Sequence, residues 1–263
     1  MPDDTYTHGH QPSVLRSHTW RTIENSAAYL SPRLEAGLDV LDVGCGPGTI
    51  TAEIAARVTP GRVVGLDRSE EVIGTAAALD ADNLSFRVGD VYALDFPDDS
   101  FDVVHAHQVV QHLSDPVAAL REMRRVCRPD GMVAVRDADY SSFAWAPEDD
   151  RLRRWLDVYL AVARSNDAEP DAGRHLKGWA LDAGFSSIES SASVWCFTDD
   201  DDRAWWGGLW ADRVVDSDLA AQAVERGLST DHELADMADA FRAWAERSDG
   251  WFAVLHGEVL ARP

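Results

Sequence analysis

Apolar positions along the chain fall into two alternating periods. Strand-length apolar runs recur at Leu38 to Val43, Gly61 to Asp67, Leu84 to Val91 and Phe101 to Ala106, and again at Met132 to Val135 after the Pro129-Asp130-Gly131 turn. Between the first two lies Thr49-Ile-Thr-Ala-Glu-Ile-Ala-Ala56, with apolar residues at helical spacing. Ser69 is a plausible N-cap, with Glu70 and Glu71 in the first turn of a second helix. This alternation predicts an α/β domain whose sheet is mostly parallel, with helices on both faces. Further on, the spacing predicts helices over 147–163, 173–184, 203–226 and 229–247, and strands over 186–197 and 251–260.

Three glycines within five positions, Gly44, Gly46 and Gly48, follow the first strand and open the first helix. They let the backbone turn tightly and let a ligand come close, and the helix N-terminus then offers free N–H groups. A nucleotide-like ligand is expected. A dinucleotide fingerprint places its third small residue where Thr49 stands, and here the third glycine comes one position early. Asp67 ends the second strand about twenty residues beyond the loop, where a carboxylate accepts from ribose hydroxyls. Gly89-Asp90-Val91 ends the third strand.

The loop Asp42-Val-Gly-Cys-Gly-Pro-Gly48 resembles motif I of the class I S-adenosylmethionine (SAM) methyltransferases, and the four following segments agree in order across residues 38–137. The arm from Tyr6-Thr-His-Gly-His10 through Arg21 to Leu30 is similar to the leader of ubiquinone/menaquinone C-methyltransferase-like proteins. The resemblance implies a Rossmann-like, seven-stranded sheet with strands six and seven forming an antiparallel hairpin. It implies an N-terminal lid arm over residues 1–34, a SAM-binding core over 35–140 and a C-terminal part over 141–263 that carries a helical substrate cap at about 198–249. It assigns Gly44, Cys45, Gly46 and Gly48 to the methionine end of SAM, Asp67 and Arg68 to the ribose side, and Asp90 with Val91 to the adenine. Asp42 would orient the loop or the SAM ammonium, and Arg21 would meet the methionine carboxylate.

Composition narrows the partners. A 263-residue chain with 45% apolar residues can bury a full core. A net charge of −22 argues against a nucleic-acid backbone or an anionic membrane as partner. Cys45, Cys127 and Cys196 give neither a disulfide pattern nor metal-ligand spacing, and the N-terminus lacks a basic and apolar signal region. A cytoplasmic monomer or homodimer acting on a small molecule, without a metal, is expected.

The segment His105-Ala-His-Gln-Val-Val-Gln-His112 leaves strand four beside the glycine loop, so His107 and Gln108 should lie near the transferred methyl. Strand alternation sets His105 one layer deeper, as a core histidine. His107, His112, and His8 or His10 from the arm are candidate bases for an acceptor that must lose a proton. Eight of the ten tryptophans lie from Trp145 to Trp244. Trp205, Trp206 and Trp210, with Tyr6 from the arm, are candidate walls of an apolar acceptor pocket; core packing is the plainer reading of such a cluster. The expected function is methyl transfer from SAM to a C, O or N atom of a small apolar or aromatic acceptor, a secondary metabolite or quinone-like molecule. An NAD-dependent oxidoreductase and a non-methylating SAM-fold binding protein or cyclase are the alternatives.

Overall fold

The computed structural model describes Asp4, Thr7 and residues 17–263. Tyr6, His8 and His10 lie outside the described residues. Eight strands form one sheet: β1 (Val40–Val43), β2 (Val63–Asp67), β3 (Leu84–Val88), β4 (Phe101–His107), β5 (Cys127–Ala138), β6 (Ala144–Ala146), β7 (Ser187–Phe197) and β8 (Trp251–Arg262). The order β3-β2-β1-β4-β5-β8-β7 places β8 as the one antiparallel strand between β5 and β7, with three-residue β6 continuing β5 along the same edge of β8. The seven expected strands are therefore joined by one short addition. Strands β1 and β4 carry near-continuous apolar runs because helices cover both faces.

Helices α1 (Ile23–Ser26), α2 (Thr49–Val58), α3 (Glu70–Ala76), α4 (Pro116–Val126), α5 (Asp150–Ser165) and α6 (Ala172–Asp182) connect or flank these strands. The expected starts are seen in their caps. Ser69 Oγ accepts from Val72 N at the head of α3, and Asp115 caps α4 by accepting from Ala118 N. Helix α4 buries Ala119, Leu120, Met123 and Val126, one face at helical spacing.

Before β1 the chain from His18 to Leu30 is interrupted, and further on one helical expectation changes. Thr22 and Asn25 form a reciprocal capping box that starts α1 anew, and a 3₁₀ turn follows at Ser31–Arg33. The span 203–226 is two helices, α7 (Asp200–Val215) and α8 (Asp218–Glu225), because Asp216 and Ser217 leave helical geometry and the Ser217 hydroxyl donates to the Arg213 carbonyl. Helix α9 (Asp231–Ala245) opens with a second capping box, Thr230 with Glu233.

Helices α7 to α9 lie between β7 and β8 and share a core with α5 and the outer end of the sheet. Trp155 meets Trp210 edge-on at 4.5 Å and Phe241 at 5.0 Å, while Trp206 stacks on Phe197 at 4.4 Å. Trp206 and Trp210 are buried, and Trp205 is half-buried against the same core. Among the described residues, no helix is long and apolar enough to cross a membrane, and no group of three His, Cys, Asp or Glu side chains could hold a metal ion.

Candidate active site

A cavity of about 460 Å³ runs along the carboxyl ends of the parallel strands. Its walls follow the strand order: Val88 to Val91 beyond β3, Leu66 to Arg68 beyond β2, Asp42 to Pro47 beyond β1, His107 to Leu113 beyond β4, and Tyr140 beyond β5. This is the crevice where ligands bind in open α/β sheets. Asp4, Ser17, His18 and Arg21 come to it from the N-terminal segment.

The glycine loop is built for close approach. Gly44, Gly46 and Gly48 have φ of 66°, 55° and 83°, in the left-handed region. A Cβ on Gly44 would stand 2.3 Å from Val109 Cγ2, so the loop abuts the segment after β4. A Cβ on Gly46 would meet only His18 Nδ1, at 3.7 Å, so that side of the loop opens onto the cavity. Asp67 closes the turn: one carboxylate oxygen accepts from Gly46 N at 3.1 Å and the other from Ser69 N at 3.0 Å. Asp90 accepts from Tyr92 N at 2.9 Å. Asp42 is buried, with one oxygen accepting from Thr51 Oγ1 at 2.6 Å and the other 2.7 Å from His105 Nδ1. That pair buttresses β1 and makes His105 the core histidine expected. Burial pushes the Cys45 thiol far up, which leaves it inert.

Gln108 is held at φ 54°, a conformation uncommon for a side chain-bearing residue and characteristic of functional positions. Its N–H donates to Arg136 O at 2.7 Å. Arg21 donates to Gln108 Oε1 at 2.5 Å, so Gln108 Nε2 is the donor to His256 Nε2 at 2.8 Å. His256 in turn offers Nδ1–H to Val254 O at 3.1 Å, which fixes a neutral tautomer.

The same logic separates the two histidines expected as bases. Gln111 Oε1 accepts from Ala138 N, so its amide nitrogen donates to His112 Nε2 at 3.0 Å. His112 therefore carries its proton on Nδ1, and its lone pair is engaged. Burial and then the Arg21 charge bring its pKa down to about 3. Among the two, the contact with Gln111 is what sets His112 apart. His107 is 5% exposed, lines the cavity, and neither ring nitrogen has a hydrogen-bond partner among the described residues. Burial, reinforced by Arg21 and by its cross-strand neighbour Arg136, holds its pKa well below the usual histidine range. His107 is thus neutral at pH 7 with a lone pair unengaged.

Residues 34–174 match the methyltransferase-domain family. The chain is 37% identical over 268 residues to an uncharacterized methyltransferase of Schizosaccharomyces pombe, covering 97% of this chain and 95% of that one. It belongs to the class I SAM methyltransferases. A protein of Aspergillus luteorubrus named as a probable methyltransferase is 30% identical, with 98% and 97% covered. Among solved structures, Haemonchus contortus phosphoethanolamine N-methyltransferase 2, bound to phosphomonomethylethanolamine and S-adenosylhomocysteine, superposes with a TM-score of 0.59 at 14% identity. That alignment spans 96% of this chain and 58% of the other, and carries the fold alone.

SAM is the methyltransferase's cofactor, and the residues present fit it. The open side of Gly46, the acids Asp67 and Asp90 at successive strand ends and the N-terminus of α2 offer what an adenosyl group with an amino-acid tail requires. The oxidoreductase alternative falls with the family assignment.

Of the residues expected from sequence, Asp42, Gly44, Cys45, Gly46, Asp67, Arg68, Asp90, Val91, His107, Gln108, His112 and Arg21 all line the one cavity. Gly48 stands behind the loop against Phe86. Trp205, Trp206 and Trp210 do not line it, because the inserted helices have a core of their own to fill. Among the described residues beyond β5, only Tyr140 and Arg213 reach the cavity. Sequence reasoning missed both, along with Gln111. Gln111 stood within the His105–His112 segment, and Tyr140 lay three residues past the last matched strand; Arg213 carried no signal at all.

Proposed function

We propose that this methyltransferase transfers a methyl group to a small organic acceptor whose nucleophilic atom loses a proton, and that His107 receives that proton. The observation that carries the reading is His107 itself: a buried imidazole at the end of β4, facing the cavity, with both ring nitrogens lacking partners among the described residues. In this reading the glycine loop holds the methionine end of the cofactor, Asp67 its ribose, Asp90 and Val91 its adenine, and Arg21 its carboxylate. Bound SAM supplies an electrophilic methyl on a sulfonium and leaves as S-adenosylhomocysteine. The chain's part is alignment, exclusion of water and proton removal. As the new bond to the methyl carbon forms, the acceptor's O–H, N–H or activated C–H proton passes to His107.

We assign the N-terminal segment, residues 1–34, as a lid over the 35–140 core. Asp4 supports this, since its carbonyl accepts from Arg68 and its carboxylate from Ser114 N, on two sides of the cavity mouth. Thr7 supports it as well, accepting from Asn166 and Gln222 on the α5 end and α8. Helices α7 to α9 are the cap over the acceptor end.

The test is His107→Gln in a methyl-transfer assay with labelled SAM and a panel of phenols, enols and amines. The expected result is a loss of about 10²–10⁴ in kcat, with S-adenosylhomocysteine affinity unchanged by calorimetry. Full turnover by the variant overturns the role of His107. Labelling of protein or RNA but of no small molecule in the panel overturns the acceptor class.

A further inference from the structure

One face of the sheet, the one covered by the segment from α1 to the 3₁₀ turn, gathers buried polar atoms that the surrounding protein leaves unpaired. Among the described residues, His105 Nε2, both ring nitrogens of His107, Arg136 Nη1 and the Tyr29 hydroxyl have no hydrogen-bond partner. Register brings them together. His105 and His107 leave β4 on the same side, and Arg136 on β5 is the cross-strand partner of His107. Tyr29, between α1 and the 3₁₀ turn, packs on that side too, against a cluster that includes Val103 and Ala134, which alternate with His105 and Arg136 along their strands. Arg136 is fixed by its Nε, which donates to Ser193 Oγ at 3.1 Å and to Glu258 Oε1 at 3.2 Å, and this leaves Nη1 over. Beyond burial itself, Arg136 and Asp42 act electrostatically on the Tyr29 hydroxyl, and Arg136 and His105 on His107, which sets the four side chains in one neighbourhood. Buried polar atoms are nearly always satisfied, and those that do not reach one another are met by internal water.

Resting on the methyl-transfer reading above, we propose that Tyr29, His105, His107 and Arg136 bind a buried water on this face, and that the water receives the inward N–H of His107, which makes Tyr29 and His105 positioning residues for the base. The hydrogen bonds close around one molecule. With its Nδ1 proton directed to Asp42 at 2.7 Å, a neutral His105 presents Nε2 as a lone pair, whereas Arg136 Nη1 only donates. The water gives one proton to His105 Nε2 and the other to Tyr29 Oη, and it accepts from Arg136 Nη1 and from His107. Those four bonds are the full capacity of a water molecule. The arrangement leaves the remaining lone pair of His107 directed at the cavity, as removal of a proton from the acceptor requires. Once His107 has taken that proton, its inward N–H still donates to the same water, so the water does not have to turn during the step. Without Tyr29 Oη, the water's second proton is free to turn to His107, which would then accept on the inward side and lose its lone pair toward the cavity.

The experiment joins a crystal structure of the wild-type S-adenosylhomocysteine complex to nitrogen NMR of histidine-labelled wild type and Tyr29→Phe. Density for a water within hydrogen-bond distance of Tyr29 Oη, His105 Nε2 and Arg136 Nη1 is expected, and a structure that resolves ordered water elsewhere in the core but shows none there overturns the proposal. In the wild type His107 should be one neutral tautomer, protonated on its inward nitrogen, and in Tyr29→Phe a mixture of both. A mixture in the wild type, or an unchanged tautomer in the variant, overturns it as well. With an acceptor found in the panel above, Tyr29→Phe should lower kcat roughly tenfold while S-adenosylhomocysteine affinity stays within twofold, a split that general loss of packing would not give. If Tyr29→Phe does not fold, the wild-type density and the wild-type tautomer still decide. Full turnover by His107→Gln would count against the base reading, a separate result, because density and tautomer are both read without turnover.

Discussion

Gly44 offers the sharpest test of how the cofactor loop is built. Gly44→Ala adds one carbon at a residue with φ 66°, where an L side chain costs about 1–2 kcal/mol. It also drives that carbon to 2.3 Å from Val109 Cγ2, an overlap no rotation of the alanine can relieve. Overpacking of this kind costs about 1–3 kcal/mol, giving roughly 2–5 kcal/mol in all for the single variant. The two contributions are separable, because only the second depends on Val109. Val109→Ala removes two methyl groups from a half-buried position, which costs at most about 1.6 kcal/mol. In the double variant the overlap disappears and the backbone term stays.

The double-mutant cycle should therefore show a favourable coupling of about 1–3 kcal/mol. It is read as the sum of changes in unfolding free energy and in S-adenosylhomocysteine affinity, since the loop can relieve the overlap either by straining the apo fold or by leaving its binding geometry. Appearing wholly in binding, it corresponds to a recovery of about 5- to 150-fold in Kd. Denaturant unfolding and calorimetry on the four proteins give both quantities. A coupling within about 0.5 kcal/mol of zero refutes the reasoning, and would mean that the loop and the segment after β4 are not in the contact described.

Three further outcomes are expected. Trp206→Ala should lower unfolding stability by about 3–5 kcal/mol while leaving S-adenosylhomocysteine affinity within twofold; a large affinity loss without destabilisation would return this ring to the pocket wall. Asp137 is fully buried, and burial pushes its pKa up to about 8, so the folded state keeps a proton that the unfolded chain releases near pH 4. Its contribution to stability thus falls as pH rises from about 4 to about 8, and Asp137→Asn should show a melting-temperature advantage over wild type that grows across that window and levels off above it; a pH-independent difference contradicts the assignment. Gln108→Ala removes both the Arg21 and the His256 contacts and leaves a left-handed backbone without its clamp, so S-adenosylhomocysteine binding should weaken by tenfold or more, and wild-type affinity in this variant would show that Arg21 is placed by other means.

The half of the cavity around the glycine loop was legible because it is set by the backbone. A glycine loop after a buried strand and an acid at each of the next two strand ends are set by local sequence, and the strand order then brings Gly44, Asp67 and Asp90 to one edge. The histidines were legible as candidates and not as roles. His107 and His112 differ by what Gln111 and Arg136 do to them, and those contacts depend on β5 lying beside β4. Tautomer and basicity follow from partners that no spacing along the chain announces.

The tryptophans were left between two readings for a physical reason. Trp205, Trp206 and Trp210 lie at a spacing that fits a pocket wall and a packed core equally, and the deciding fact is the volume between α7, α9 and α5, which those rings fill. Once the tryptophans are spent on that core, the polar side chain on the same helix with a distinct position is Arg213, facing inward two turns after Trp206 and stacked on Trp210. The tryptophan cluster is then what holds a charged side chain at the cavity wall: the aromatic core fixes the helix, and the Trp210 ring face receives the guanidinium.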